Sequence, residues 1–149
     1  MSKSKSGSEA SRSFPISAVQ ALGLSFTAAA CAPSVQGSWN LRKVDGGGLT
    51  SSYVDDYGCT VESKSSGNLD LSKSDGDKVT GTYSLGVEYT SDCYDGEISV
   101  DYDGDLTATK GASDDKWKLK GDDFNMSCTV DEDLMDCTDD GINLQFERE

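Results

Sequence analysis

The sequence predicts an all-β protein, a small antiparallel up-and-down barrel of about eight or nine strands, with a β-sandwich as the alternative. Two observations support this fold class. Apolar and polar residues alternate with a period of two over most of the chain after residue 37, which is typical of strands with one buried and one solvated face. Asp-Gly and related turn sequences separate these runs at close spacing, as in consecutive hairpins, and no run shows a convincing helical period.

The strands are predicted in order from their apolar positions. The first run contains Trp39 and Leu41, and a longer one places six residues of one parity from Val79 to Tyr89. The chain has only two prolines, and neither interrupts a run, so each run is compatible with strand pairing. The other runs are Tyr57, Cys59 and Val61, then Leu69 and Leu71, Ile98–Tyr102, Leu106 and Ala108, Trp117 and Leu119, Phe124–Val130, and Ile142–Phe146.

Turn sequences lie between these runs, because Asp-Gly supplies the positive φ that tight hairpins need. Asp101, Asp103 and Asp105 surround one such turn and at first resemble a calcium loop. An EF-hand needs glycine at position six and glutamate at position twelve, whereas here glycine is fourth and Ala112 is twelfth. We therefore predict a hairpin tip and no metal site. The turns are Asp45-Gly46, Asp75-Gly76, Asp95-Gly96, Asp103-Gly104, Lys110-Gly111, Gly121-Asp122 and Asp140-Gly141.

The charge and composition exclude several classes of function. The net charge is −14, and residues 1–30 hold three basic side chains and one acid, so the rest of the chain has a net charge of −16. Such acidity disfavours nucleic acid as a partner, because phosphate backbones are repelled. The chain has no histidine, which removes the commonest general base and metal ligand. We predict a non-enzymatic protein with no cofactor and no metal.

The cysteines are consistent with an exported, disulfide-bonded domain. Cys31 stands alone near the N-terminus, and four more, Cys59, Cys93, Cys128 and Cys137, lie in the predicted barrel. An even number in a small exported domain predicts two disulfides. Four cysteines allow three pairings. The eight residues between Cys128 and Cys137 favour a bridge across one hairpin, and Cys59 and Cys93 then connect an early strand to the loop after Tyr89.

The N-terminal region has the composition of a targeting segment. Basic residues precede an apolar stretch from Phe14 to Ala30, and three alanines stand immediately before Cys31. This layout resembles the bacterial lipoprotein signal, or lipobox. The resemblance implies a signal peptide over residues 1–30, a lipidated Cys31 on a tether of residues 31–36, and a membrane partner reached through the lipid. Ala32, where inner-membrane lipoproteins tend to have aspartate, implies the outer membrane of a bacterial cell envelope.

The predicted barrel, residues 37–149, begins with Gly37-Ser38-Trp39, which matches the G-x-W of lipocalin-like barrels. The chain therefore resembles small bacterial lipocalin-like lipoproteins. This resemblance implies that Trp39 plugs one end of the barrel and that Arg148 packs over it. It also implies a small apolar or amphipathic ligand inside the barrel. The alternative is an envelope structural or interaction protein whose barrel is filled by side chains, with its protein partner unidentified. Five tyrosines are candidates for a barrel mouth or a partner-binding face: Tyr53, Tyr57, Tyr89, Tyr94 and Tyr102.

Overall fold

The computed structural model describes residues 34–149, which form nine β-strands. In this part of the chain no helix is long and apolar enough to span a bilayer. The predicted signal peptide and Cys31 lie outside the described residues. The strands are β1 (Gly37–Val44), β2 (Thr50–Val54), β3 (Thr60–Asp75), β4 (Lys78–Ser91), β5 (Glu97–Lys110), β6 (Lys116–Lys120), β7 (Asn125–Asp131), β8 (Leu134–Asp139) and β9 (Ile142–Arg148).

Eight of the strands close into an antiparallel barrel. Each strand from β3 to β9 pairs with its neighbours in sequence, and β1 closes the ring by pairing with both β9 and β3. Trp39 on β1 lies opposite Arg148 on β9 and opposite Leu69 on β3. The remaining strand, β2, pairs with β3 outside the ring. The predicted all-β, up-and-down barrel is confirmed, and the sandwich alternative is excluded by this closure.

Side chains fill the interior of the barrel, and every strand of the ring contributes to one buried cluster. Trp39 and Phe146 are the largest of its completely buried side chains. Val35, which the sequence places in the tether, is also completely buried in this cluster. The core therefore begins two residues before β1, because the apolar side chain of Val35 is removed from water by packing there.

The two ends of the barrel differ. At one end, which we call the closed end, β1 begins and the β7–β8 turn lies beside it, where the Arg148 amide donates to the Asp133 carbonyl at 2.9 Å. At the other end, the open end, the β1–β2 loop meets the β8–β9 turn, and the Asp45 amide donates to the Asn143 carbonyl at 2.7 Å. The β3–β4 turn belongs to the closed end, since Gly37 pairs with Leu71 near the end of β3.

Three strands are much longer than the others and extend past the open end. β3 has 16 residues and β4 and β5 have 14 each, whereas β6 to β9 have between 5 and 7. Their outer parts join β2 in a four-stranded sheet of residues 50–54, 60–66, 86–91 and 97–103, which we call the sheet extension. Because side chains alternate along a strand, the inward series of β4 continues onto one face of this sheet, its inner face.

One predicted turn is wrong: Asp103-Gly104 lies inside β5 rather than at a hairpin tip. Gly104 pairs with Tyr83 on β4, and a Cβ atom at this position would lie 3.2 Å from the Tyr83 ring. The glycine therefore leaves room for a buried aromatic ring in the next strand, and its φ is not in the left-handed region that a tight turn uses. The two runs predicted on either side of it are one continuous strand.

Candidate functional site

The closed end is formed by Trp39 and the residues around it. The Trp39 indole nitrogen donates to the Val35 carbonyl at 2.8 Å, which fixes the segment before β1 against the ring. The Arg148 guanidinium carbon lies 4.2 Å from the centre of the ring, a distance suited to a cation–π interaction. Gly37 has a φ of 140°, and a Cβ atom there would lie 2.7 Å from the Arg148 guanidinium. The structure thus brings Gly37, Trp39 and Arg148 together.

Arg148 also fastens the first described residues to the barrel. Its guanidinium donates to the backbone carbonyls of Gln36, Ser34 and Glu132, the second at 2.7 Å. A carboxylate oxygen of Asp133 lies 3.6 Å from its Nε atom. A charged donor shared among carbonyl groups gives each of them a strong partner, so Arg148 connects the entering chain, β9 and the β7–β8 turn.

The two disulfides predicted from the cysteine count are present, in the pairing that the spacing favours. Cys128 and Cys137 are directly opposite each other on β7 and β8 and belong to the barrel core. Cys59 and Cys93 connect the β2–β3 loop to the β4–β5 loop at the tip of the sheet extension. Asp92 lies close to the Cys59–Cys93 pair. Sulfurs joined in a disulfide are not thiolates, so this group is not a metal site.

A cleft of about 540 Å³ occupies the open end, where the sheet extension rises beside the mouth of the barrel. Leu41, Leu85 and Leu144 lie at its base, where they pack against the barrel core. Its volume lies within the range of small-molecule sites in proteins. Its other apolar lining residues are Val44, Leu49, Val87, Tyr89, Tyr102 and Ile142.

The cleft is amphipathic. Beside Val87 and Tyr89 of β4, on the same inner face, lies a row of hydroxyl groups from β2 and β3, contributed by Ser51, Ser63 and Ser65. The Ser51 and Ser63 hydroxyl oxygens are 2.7 Å apart and share a hydrogen bond. Asp45 is the only charged residue among the lining residues. Hydroxyl groups beside hydrocarbon on the lining fit a molecule that has both polar and apolar parts.

A second hollow of about 530 Å³ lies on the same inner face, closer to the tip of the sheet extension. Tyr53, Tyr94 and Ile98 line it, and Tyr89 lines both this hollow and the cleft. Of the five candidate tyrosines, four therefore lie on one continuous surface, since Tyr102 belongs to the cleft. Tyr57 is separate: the strand run predicted for Tyr57, Cys59 and Val61 is wrong for the first two, which lie in the β2–β3 loop, and Tyr57 is 86% exposed.

The candidate calcium ligands do not form a loop. Asp101, Asp103 and Asp105 alternate along β5, on the face of the sheet opposite the inner face. Alternate residues of a strand place their side chains on the same face of the sheet. The three carboxylates therefore lie in a line along β5 and do not surround a common point where an ion could bind.

Comparisons with known protein families, with curated proteins and with solved structures find no match. The family resemblance implied a ligand inside the barrel, with a filled barrel as the alternative; the structure has a cluster of buried side chains inside the barrel and an open cleft beside it. The feature of the sequence that could have predicted this cleft is the long period-two series from Val79 to Tyr89. A strand of this length is longer than a small barrel needs, so it indicates that β4 extends past the barrel.

Tyr83 lies beneath the cleft and is buried against Phe124, with ring centres 4.7 Å apart. Its hydroxyl donates to an Asp123 carboxylate oxygen at 3.0 Å. Desolvation by burial, and then this hydrogen bond and the negative charge of Asp123, raise the pKa of Tyr83 above its ordinary value. The Tyr83 phenol therefore binds its proton more tightly in the folded protein than in the unfolded chain.

Tyr83→Phe is expected to reduce the loss of stability at alkaline pH. A phenol whose pKa is raised by folding stabilises the protein fully below the unfolded pKa of about 10, and this contribution is lost as pH rises through the folded pKa. Urea unfolding midpoints at pH 7 and pH 11 measure the difference. The wild type should lose more stability between the two than Tyr83→Phe, and Tyr57→Phe, at an exposed site, should behave as the wild type does. Equal alkaline losses in all three proteins would contradict this prediction.

Proposed function

We propose that this protein is a non-enzymatic, lipid-anchored protein of the bacterial cell envelope that binds a small apolar or amphipathic ligand in the cleft at the open end of its barrel. One observation carries the proposal: a cleft of about 540 Å³ with an apolar base and a row of serine hydroxyls on one wall. The lipocalin-like character suggested by Gly37, Trp39 and Arg148 supports the same class of function. The ligand lies beside the barrel core, because side chains occupy the interior.

The proposal includes that the protein does not catalyse a reaction. The chain has no histidine. Two shifted pKa values outside the barrel mouth have ordinary local causes: a hydrogen bond from Lys110 to Asp114 raises the pKa of the lysine, and a hydrogen bond from Ser113 lowers the pKa of Asp115. Both groups lie near the closed end, away from the cleft. The cleft itself offers apolar contacts and hydroxyl groups, which suit binding.

The proposed lipid anchor would determine how the cleft is oriented relative to the membrane. Ser34 is held at the closed end by Arg148, and it follows Cys31 by three residues, a distance of at most about 10 Å along the chain. A lipid on Cys31 would therefore keep the closed end beside the membrane, with the cleft facing away from the bilayer. Ala32 favours the outer membrane, so the cleft would face the periplasm or the exterior.

Native mass spectrometry of the protein extracted from its own membrane tests the proposal. We expect a chain that begins at Cys31 with covalent acyl groups and that carries an additional non-covalent mass. Val87→Lys should lose that mass, because Val87 lies on the cleft wall and a charged side chain there would be buried against the apolar ligand. Val54→Lys is the matched control, since Val54 is 67% exposed and faces the other side of the sheet extension.

A second candidate function is an envelope interaction protein with no small-molecule ligand. The filled barrel favours it, because the interior then serves only to hold the surface in shape. An acylated chain without any bound mass, in the wild type as in Val87→Lys, would support this candidate and contradict the first. A chain that begins at Met1 without acyl groups would contradict the anchor in both.

A further inference from the structure

The sheet extension has two open edges among the described strands, the five-residue β2 and the longer outer part of β5. β5 pairs with β4 from Glu97 onward, but it meets β6 only from Thr107. Among the described strands, residues 97–105 of β5 therefore have a partner on one side alone. Nine residues of extended chain span about 30 Å, and the backbone donors and acceptors on their free side have no partner strand among the described residues. Such an edge is a template for adding a strand from another chain.

The side chains of this edge have two different faces. On the inner face, Ile98, Val100 and Tyr102 form an apolar row, aligned with Tyr89, Val87 and Leu85 of β4 respectively. Ile98 is 68% exposed and Tyr102 is 45% exposed, so this row is unusually accessible for apolar residues. On the outer face of the same strand stand four carboxylates and one hydroxyl: Glu97, Ser99, Asp101, Asp103 and Asp105.

A second copy of this chain does not fit the edge. If two β5 edges paired antiparallel with their apolar rows on one face, Asp101 would lie opposite Asp101 and Glu97 opposite Asp105. Like charges directly opposite each other across a strand pair are destabilising. The acidic outer face therefore disfavours pairing of the protein with itself in this register, while it leaves the edge available to a strand of opposite charge.

We propose that the β5 edge binds, by strand addition, an extended protein segment in which basic and apolar residues alternate. The apolar side chains of that segment would continue the row of Ile98, Val100 and Tyr102. Its Lys or Arg side chains would lie opposite the carboxylates of the outer face, where opposite charges in cross-strand pairs are favourable. The strand pairing uses backbone groups of the edge strand, which the ligand proposed for the cleft does not need, whereas Tyr102 borders both sites.

The surroundings of the edge favour the same partner. Residues 50–66 and 86–103, which contain the sheet extension and its connecting loop segments, hold nine acidic side chains and one basic side chain, Lys64. A surface of one sign raises the rate of encounter with a segment of the opposite sign, and salt weakens that attraction. The charge thus steers the partner, and the backbone edge and apolar row select one that is extended and alternating.

A synthetic ten-residue peptide in which Lys and Val alternate is the first probe. Its binding to the purified full-length protein is measured by fluorescence anisotropy, and hydrogen exchange followed by mass spectrometry reports which amides it protects. We expect slower exchange in residues 97–105. A peptide of the same composition with lysines and valines in separate blocks should bind at least tenfold more weakly, because its charge is equal but its alternation is lost.

Variants separate strand addition from general charge attraction. Asp101→Lys with Asp103→Lys should weaken binding of the alternating peptide at least tenfold. The control, Asp75→Lys with Asp131→Lys, changes the net charge equally at two exposed positions at the closed end and should weaken it less than threefold. Both pairs lie on strand surfaces, so circular dichroism should show an unchanged fold. Equal binding of both peptides, equal effects of both variant pairs, or no protection of residues 97–105 would each overturn the proposal.

Discussion

Reduction of both disulfides is expected to lower the free energy of unfolding by about 6–7 kcal/mol. In the chain-entropy estimate, a bridge over 34 residues contributes about 4 kcal/mol and one over 9 residues about 3 kcal/mol. Domains of this size have a total stability of about 5–15 kcal/mol, so the loss is a large part of the whole. Differential scanning calorimetry with and without reductant should show the melting temperature fall by about 20 °C or more. A fall of only a few degrees would contradict this estimate.

The two bridges should act on different parts of the molecule. Cys128 and Cys137 are buried in the barrel core, so Cys128→Ala with Cys137→Ala should destabilise the barrel as a whole. Cys59 and Cys93 join loops at the tip of the sheet extension, so Cys59→Ser with Cys93→Ser should accelerate hydrogen exchange mainly in residues 50–66 and 86–103. Equal acceleration of exchange in β6 to β9 by both double variants would contradict this division.

The barrel could be predicted from local sequence because two simple rules agree along most of the chain. Period-two alternation placed Trp39 and Leu119 inside, and both are completely buried. Asp-Gly predicted turns where the backbone does adopt positive φ, as at Asp45-Gly46 and Asp140-Gly141. Closure of the ring by β1 follows from the same pattern, since an isolated sheet of this length would leave two long edges unpaired.

Local sequence does not predict the structure where a distant contact determines it. Asp103-Gly104 has the composition of a turn, but Gly104 is small because the Tyr83 ring occupies the space beside it. No local rule distinguishes a glycine that permits positive φ from one that makes room for a neighbour. The error divided β5 into two strands and concealed its length, and with it the sheet extension, the cleft and the open edge.

The residue type of the five candidate tyrosines also did not show which of them share one surface of the folded protein. Tyr89 and Tyr102 were candidates for a mouth, as were Tyr53, Tyr57 and Tyr94, but their sequence spacing does not show that only four share a surface. The register of β2, β3, β4 and β5 decides this, because it sets which residues stand side by side across strands. Register depends on the pairing of whole strands rather than on any one side chain.

Trp39→Ala is expected to lower the free energy of unfolding by about 4 kcal/mol, within the range of aromatic truncations in protein cores. Trp39 is completely buried, and its loss leaves a cavity in the core cluster that contains Val35 and Leu69 and removes the ring beside the Arg148 guanidinium. Urea denaturation at pH 7, followed by far-ultraviolet circular dichroism, measures the change. Tyr57→Ala, which removes an exposed aromatic ring, should change stability by no more than about 0.5 kcal/mol.

A comparison of two tryptophans separates the hydrogen bond from the packing. The Trp39 indole nitrogen donates to the Val35 carbonyl, whereas the Trp117 indole nitrogen is buried without a hydrogen-bond partner among the described residues. Trp39→Phe removes both volume and a satisfied donor, while Trp117→Phe removes similar volume and relieves an unsatisfied one. Trp39→Phe should therefore be more destabilising than Trp117→Phe by about 1–2 kcal/mol. Equal losses would mean that Trp39 closes the barrel by its volume alone, and that the bond to Val35 does not hold the entering chain in place.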